Sequence, residues 1–353
     1  MRIRNKIILM LLTATSVNAF AGNEDRVGQA GASELLINPW ARSAGWGGAN
    51  GALVRGVESF NSNIGGLSFA KGTEIVLSHN NWLKGTDTKI TSAGFARKAG
   101  EAGALGVAIT SANFGDVERT TTANPDGGVG SYTLSMINIG VAYSRAFSNS
   151  IHGGVVVRVL SEAIADMRAQ GMTIDAGIQY VTGNNKDRDN MKFGIALRNV
   201  GTPMKYEGEG LAFRSSTSDY TNNINVLLEQ RTQEFEMPSL VAISAAYDIE
   251  LAEEHQITPA ATFTSNSFIR DQFAIGLEYA FKDLLMVRGG YTIDKKDKNA
   301  IIDDEISTLI GASFGASIQL PLGKSGKYFG VDYGYRATRV FDGTHTFGIR
   351  FSL

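Results

Sequence analysis

Along residues 271–281 every second side chain is large and apolar: Phe273, Ile275, Leu277, Tyr279 and Phe281 share one parity, while Ala274, Gly276, Glu278 and Ala280 share the other. Successive side chains leave opposite faces of a β-strand, so this stretch makes a strand with one greasy face and one small or charged face. The pattern returns in 191–200, with Phe193, Ile195 and Leu197 against Lys192, Gly194 and Arg198. It returns again in 326–339, with Phe329, Val331, Tyr333 and Tyr335 against Asp332, Gly334 and Arg336. A charge inside such a strand needs a wet side, because an unpaired ion in hydrocarbon is costly.

Period-two segments number fourteen: 73–83, 89–98, 103–114, 133–147, 151–165, 171–182, 191–200, 237–248, 254–265, 271–281, 284–294, 304–319, 326–339 and 344–353. Most reach the roughly nine to eleven residues that a tilted strand needs to cross a bilayer, against about five or six for an average soluble strand. The expected fold is therefore all-β, a transmembrane antiparallel β-barrel of about fourteen strands with lipid outside and a polar lumen inside. A soluble β-sandwich would alternate too, but with shorter strands. An even count puts both chain ends on one side, so odd-to-even connections should lie outside the cell and even-to-odd turns in the periplasm. The longest connections, 115–132, 201–236 and 295–303, are all odd-to-even. In the last segment Phe347, Ile349, Phe351 and Leu353 share the lipid parity, and this ending resembles the terminal-strand signal read by barrel-insertion machinery. It should pair with 73–83 and close the ring.

Arg2, Arg4 and Lys6 precede an apolar run from Ile7 to Leu12, and Ala19-Phe20-Ala21 fits an A-x-A cleavage site, so 1–21 reads as an export signal. Residues 22–72 lack the strand pattern and would plug the lumen, the preferred reading, lie in the periplasm or add an irregular inner segment, with 73–353 forming the barrel. Losing the three leader cations and no acid takes the formal charge from −2 to about −5, which argues against a nucleic-acid surface. The sequence has no Cys, so neither disulfides nor thiolate-bound metals are available. No metal site or cofactor is expected.

The inward parity carries Arg158, Asp175, Lys192, Arg198, Glu278, Arg288, Asp332, Arg336 and Arg350. These read as lumen-lining groups, either packed as ion pairs or lining a permeation path. Such mixed charge does not suit a cavity for long acyl chains. The loop 201–236 carries Tyr206, Leu211, Phe213, Tyr220, Leu227 and Leu228, apolar anchors that would either bind a partner or fold down over the barrel mouth. Lys295, Lys296, Lys298, Asp303 and Asp304 make 294–305 a solvated charged hairpin. Aromatic residues such as Trp82, Tyr143, Tyr180, Tyr279 and Phe329 fall towards strand ends, as interfacial girdles do. His79 and His345 both face outward by parity, with Ser78 and Thr344 adjacent, but neighbouring strand residues point to opposite faces, so Ser78 cannot easily reach His79. The chain is not expected to be an enzyme.

The stretch Ala41-Arg42-Ser43-Ala44-Gly45-Trp46-Gly47-Gly48-Ala49-Asn50, followed by Asn63-Ile64-Gly65-Gly66-Leu67, resembles the N-terminal segment of the PorV/PorQ proteins, themselves similar to FadL-type transporters. Trp46 replaces that family's usual Met, and Ile64-Gly65 replaces its Pro-Ala. Phe235-Glu236-Met237-Pro238 resembles its Pro-led strand entry. The resemblance implies an integral outer-membrane component of Bacteroidota type IX secretion or cargo surface attachment. Its partners would be translocon or attachment-complex proteins and the cargo C-terminal signal domain, in contact with outer-membrane lipid and lipopolysaccharide. The alternative is a FadL-like channel for hydrophobic or other small molecules.

Overall fold

The computed structural model describes residues 26, 28–184, 188–219, 222–294, 310–323, 326–338 and 341–353. Fourteen antiparallel strands form the wall: β1 (Thr73–Asn81), β2 (Lys89–Ala99), β3 (Gly103–Glu118), β4 (Ser131–Ala146), β5 (Ile151–Ile164), β6 (Met167–Asn184) and β7 (Arg188–Gly201). They continue with β8 (Leu240–Tyr247), β9 (His255–Asn266), β10 (Gln272–Phe281), β11 (Leu285–Asp294), β12 (Gly311–Pro321), β13 (Tyr328–Arg336) and β14 (Thr344–Ser352). Each pairs with its neighbours in sequence, and β14 pairs with β1, Phe351 opposite Ile75 and Gly348 opposite Ser78. Among the described residues closure leaves the wall itself with no unpaired strand edge, the condition for a sheet to sit in lipid.

The outward parity is the apolar one, as the alternation requires. Leu77, Val141, Ile195, Val287, Phe314 and Phe347 are 47–60 % exposed, a belt that water would penalise and acyl chains would not. The rim bearing the odd-to-even connections is here the loop rim, and the one bearing Thr73 and Leu353 the terminal rim.

Several expectations are corrected. The first strand stops at Asn81 because Leu83 takes φ 48° and turns the chain. Trp82 is consequently buried among Ile90, Ala112 and Met136 inside the barrel and does not join an interfacial girdle. The eighth strand begins at Leu240, not at residue 237, since Met237 is buried in a cluster with Met204 and Leu35. The loop 201–236 is not patternless: Ala212–Asp219 and Asn222–Glu229 form a hairpin with Phe213 opposite Leu228. Its Ser215-Ser216-Thr217-Ser218 run is polar at both parities, so no alternation marks it. The leader 1–21, Tyr220 and the charged segment 295–305 lie outside the described residues.

Residues 28–72 fill the lumen. They form 3-10 turns at Ser33–Leu36, Gly56–Asn61 and Ile64–Phe69 and a one-turn helix, α1 (Ala41–Ala44). The segment starts at the loop rim, where the Gly31 N–H donates to the Glu236 carbonyl at 3.1 Å. It ends at the terminal rim, where the Thr73 N–H donates to the Leu353 carbonyl at 3.0 Å. Trp40, Val57, Phe60, Ile64 and Leu67 pack on Val76, Ala96, Ala104, Ala108, Ala142 and Val156 of the inner wall. Each such large side chain contributes about 1.5–3 kcal/mol on burial. The wall admits them because its inward positions are small. A Cβ at Gly334 would stand 2.5 Å from the Ala41 carbonyl oxygen, and one at Gly276 would stand 2.7 Å from the Trp46 ring. The abundance of glycine thus serves close packing of the plug as well as the alternation.

Candidate functional site

The lumen is the candidate site, and its charges fall into separate groups. At the seam of β13, β14 and β1, the Arg350 guanidinium bridges Glu58 of the plug, Asp332 at 3.3 Å and Glu74 at 3.4 Å. Glu58 also accepts from the Ser43 N–H at 3.0 Å and the Ser43 hydroxyl at 2.5 Å, so one plug carboxylate ties two plug turns to the wall. On β10 and β11, Arg288 donates to Glu278 at 2.6 Å, and Arg42 of the plug lies 3.7 Å from the same carboxylate. On β5 and β6, Arg158 donates to Asp175 at 3.0 Å and to the Phe60 carbonyl. Lys192 pairs with Asp248 at 2.5 Å. Buried pairs of this kind add little net stability, yet removing one partner strands the other charge, at about 3–5 kcal/mol.

Arg198 sits differently. In the β6–β7 ladder Ala176 faces Leu197 and Ile174 faces Val200, so Asp175 alone opposes both Arg198 and Asn199. This is a β-bulge, which turns two consecutive side chains inward. Asn199 takes φ 59°, a left-handed conformation that Asn tolerates. Its N–H donates to Asp175 at 2.6 Å and its amide to the Pro238 carbonyl at 3.1 Å. Arg198 is left to donate one guanidinium N–H to the Leu35 carbonyl at 3.2 Å, and its Nε has no hydrogen-bond partner.

Arg198 and Arg336 face one cavity of about 100 Å³ on the loop-rim side of the plug. Its floor is Gly47, Gly48 and Gly51 of the plug, and its walls include Asn38, Asn61, Thr264, Asn266 and Gln272. Leu36, Asn266 and Ile269 also line a second cavity of about 250 Å³, whose other walls include Ala30, Pro238 and Phe268. The first compartment mixes polar and apolar walls, and the second is mostly apolar.

Near the same rim, Glu34 of the plug abuts Glu162 at the end of β5, and the Tyr206 hydroxyl donates to Glu162 at 2.6 Å. Burial first, then the Glu162 charge, raises the Glu34 carboxyl from its ordinary 4.5 to about 8. Burial and the bond to Glu162 likewise push the Tyr206 hydroxyl up.

The six loop anchors divide. Tyr206 is half-buried, its ring 5.7 Å from that of Phe235, and Leu211 is partly buried, whereas Phe213, Leu227 and Leu228 are 50 %, 71 % and 42 % exposed. The outward histidines bond to strand neighbours, His79 to Thr91 at 2.9 Å and His345 to Tyr333 at 2.8 Å. Ser78 faces inward and donates to the Pro39 carbonyl at 2.7 Å, so these groups make no nucleophile and base. Among the described residues no group of three or more His, Asp or Glu is placed to hold a metal ion. Glu58, Arg42 and Glu34, which lock the plug, escaped the sequence reading because 22–72 has no periodicity from which to assign faces.

No protein-family model matches the sequence. No curated protein matches it. Solved structures do match. The toluene transporter TodX of Pseudomonas putida aligns over 88 % of this chain and 96 % of its own, with TM-score 0.53 and 13 % identity. The toluene transporter TbuX of Ralstonia pickettii gives TM-score 0.54 at 12 % identity, covering 88 % and 97 %. A FadL homologue from Pseudomonas aeruginosa gives 0.52 at 11 %, covering 89 % and 98 %. None of these neighbours bears on the PorV/PorQ resemblance, and at such identities they speak to architecture. The chain has the closed fourteen-stranded fold of the FadL-like outer-membrane barrels.

Proposed function

We propose that the protein is an outer-membrane channel for small hydrophobic or other small molecules, with the plug dividing its lumen and no catalytic step. The observation that carries this reading is the pair of adjoining cavities between plug and wall at the loop rim. The fold it shares with toluene transporters supports it. A cleaved leader delivering the barrel across the inner membrane belongs to the same reading. The test is uptake of radiolabelled toluene by proteoliposomes holding the full chain. Uptake faster than in protein-free vesicles is expected, and equal rates would overturn the reading.

A second reading is docking of a secretion or attachment partner, such as a type IX translocon protein or a cargo signal domain. Its support is the exposure of Phe213, Leu227 and Leu228 on the loop hairpin. It requires that deleting 212–229 abolishes co-purification of such a partner from native membranes while the barrel stays folded. Retained co-purification would sink it.

A further inference from the structure

We infer that the Trp46 indole is the stopper of a passage between the plug and strands β8–β12, and that its bulk decides which solutes cross. This rests on the reading of the lumen as a small-molecule pathway.

The ladder register stacks the inward side chains of these strands in rows. Towards the loop rim, Thr262, Ala274 and Thr292 stand side by side and line the cavity of about 100 Å³. One step nearer the terminal rim comes a row of small residues on five consecutive strands, Ala246, Ala260, Gly276, Gly290 and Ser313. The next step brings Thr258, Glu278 and Arg288, with Arg42 of the plug 3.7 Å from Glu278. Arg42 also donates to the Met286 sulfur at 3.2 Å, the first inward residue of β11, and its side chain is 28 % exposed. Each step along one face of a strand is about 7 Å. One row of small side chains therefore separates the cavity from the charged group below it.

What fills that row is Trp46. Its ring lies on Gly276, and its carbonyl oxygen takes the space that a Cβ on Gly290 would need. Its buried apolar partners are Ala49 and Ala52 of the plug and Ala246, Ala260 and Ala274 of the wall. Ala274 also lines the cavity, so indole and cavity share a wall. Trp40 is held otherwise, by an Nε1–H bond to Asn61 at 3.0 Å and by a cluster with Val57, Phe60 and Leu67. Dispersion contacts add up atom by atom, so a ring set among alanines is held less firmly than one that interlocks with larger side chains. In place, the indole makes an apolar constriction that excludes water and ions. Turned aside or removed, it joins the cavity to the charged row and the terminal rim.

The test is conductance of planar bilayers holding the full chain in potassium chloride, run beside toluene uptake by proteoliposomes. Trp46→Ala should raise single-channel conductance at least about tenfold, because an apolar constriction conducts once it wets. Trp46→Phe, which keeps a smaller ring, should raise it less. Trp40→Ala, or Phe60→Ala if that variant unfolds, removes a ring from the packed side and should leave conductance unchanged. Heat-modifiable gel mobility confirms that each variant remains a folded barrel; if Trp46→Ala does not, Trp46→Phe carries the comparison. Unchanged conductance in the folded Trp46 variants, or an equal rise in the packed-side control, would overturn the inference. Toluene uptake that the folded Trp46 variants do not accelerate would overturn it too, since the route then lies elsewhere. Conductance in the Trp46 variants without toluene uptake by any form would instead overturn the channel reading and leave the stopper standing.

Discussion

The two sides of the lumen are built differently. Against β1–β5 the plug interlocks through Trp40, Val57, Phe60, Ile64 and Leu67, and that side is a packed apolar cluster. Against β8–β10 its apolar contact narrows to Trp46, Ala49 and Ala52 on three wall alanines, and beyond it towards the loop rim lies the cavity edged by Arg198 and Arg336. The difference teaches that filling a barrel and sealing it are separate tasks. One side anchors the segment, which leaves the other free to carry space.

This contrast can be broken or sharpened by experiment. The largest effect is expected from Arg350→Met, which leaves Glu58, Glu74 and Asp332 facing one another without their cation. A loss of about 3–5 kcal/mol follows from stranding buried charge, read as a lower midpoint of heat-modifiable mobility; an unchanged midpoint would mean that the seam is solvated. Next is Phe60→Ala on the packed side, with a loss of about 3–5 kcal/mol from the cavity it leaves. The matching change Leu36→Ala beside the cavities should cost clearly less, since that residue is only partly buried. Equal losses would erase the distinction between the two sides.

A pH series sharpens it further. Because the Glu34 carboxyl is raised from 4.5 to about 8, the stability its protonated form contributes is fully present below about pH 4.5 and is lost as pH rises to about 8. Proteolysis of the 28–37 segment should therefore accelerate as pH rises from about 4.5 to 8 and level off above it, and Glu34→Gln should flatten the profile; a flat profile in the unmodified protein refutes the assignment. The smallest effect is expected from Leu227→Ser on the exposed hairpin, within about 0.5 kcal/mol of the unmodified barrel. A larger change would mean that the hairpin packs on something that its 71 % exposure does not suggest.

The wall was legible in the sequence because its two faces meet different media: Phe273, Ile275 and Leu277 face out, while Ala274 and Gly276 face in. The plug was legible only by default. Its turns are ordered by the wall that surrounds them, so no periodicity announces them. Arg158, Glu278 and Arg350 could be assigned inward from parity alone, but the plug's share in their networks, through the Phe60 carbonyl, Arg42 and Glu58, could not. The bulge did leave a mark, the apolar-polar-polar-apolar run Leu197-Arg198-Asn199-Val200, which breaks the two-residue period at one step. Tyr206 was misleading, since an aromatic residue on a long loop looks available until its hydroxyl is found on Glu162.

The plug segment runs from Gly31, bonded beside the loop rim, to Thr73, bonded at the opposite rim. The backbone therefore passes through the ring formed by its own later residues, like a cord through a bead. A ring sealed beforehand could be entered only by pushing the chain end through a filled bore. Since β1 and β14 are the strands farthest apart in sequence, zipping them last lets the wall wrap an already placed cord. The seam carrying Arg350 and Glu74 is then where assembly finishes, and Glu58 is the group that the finished seam clasps.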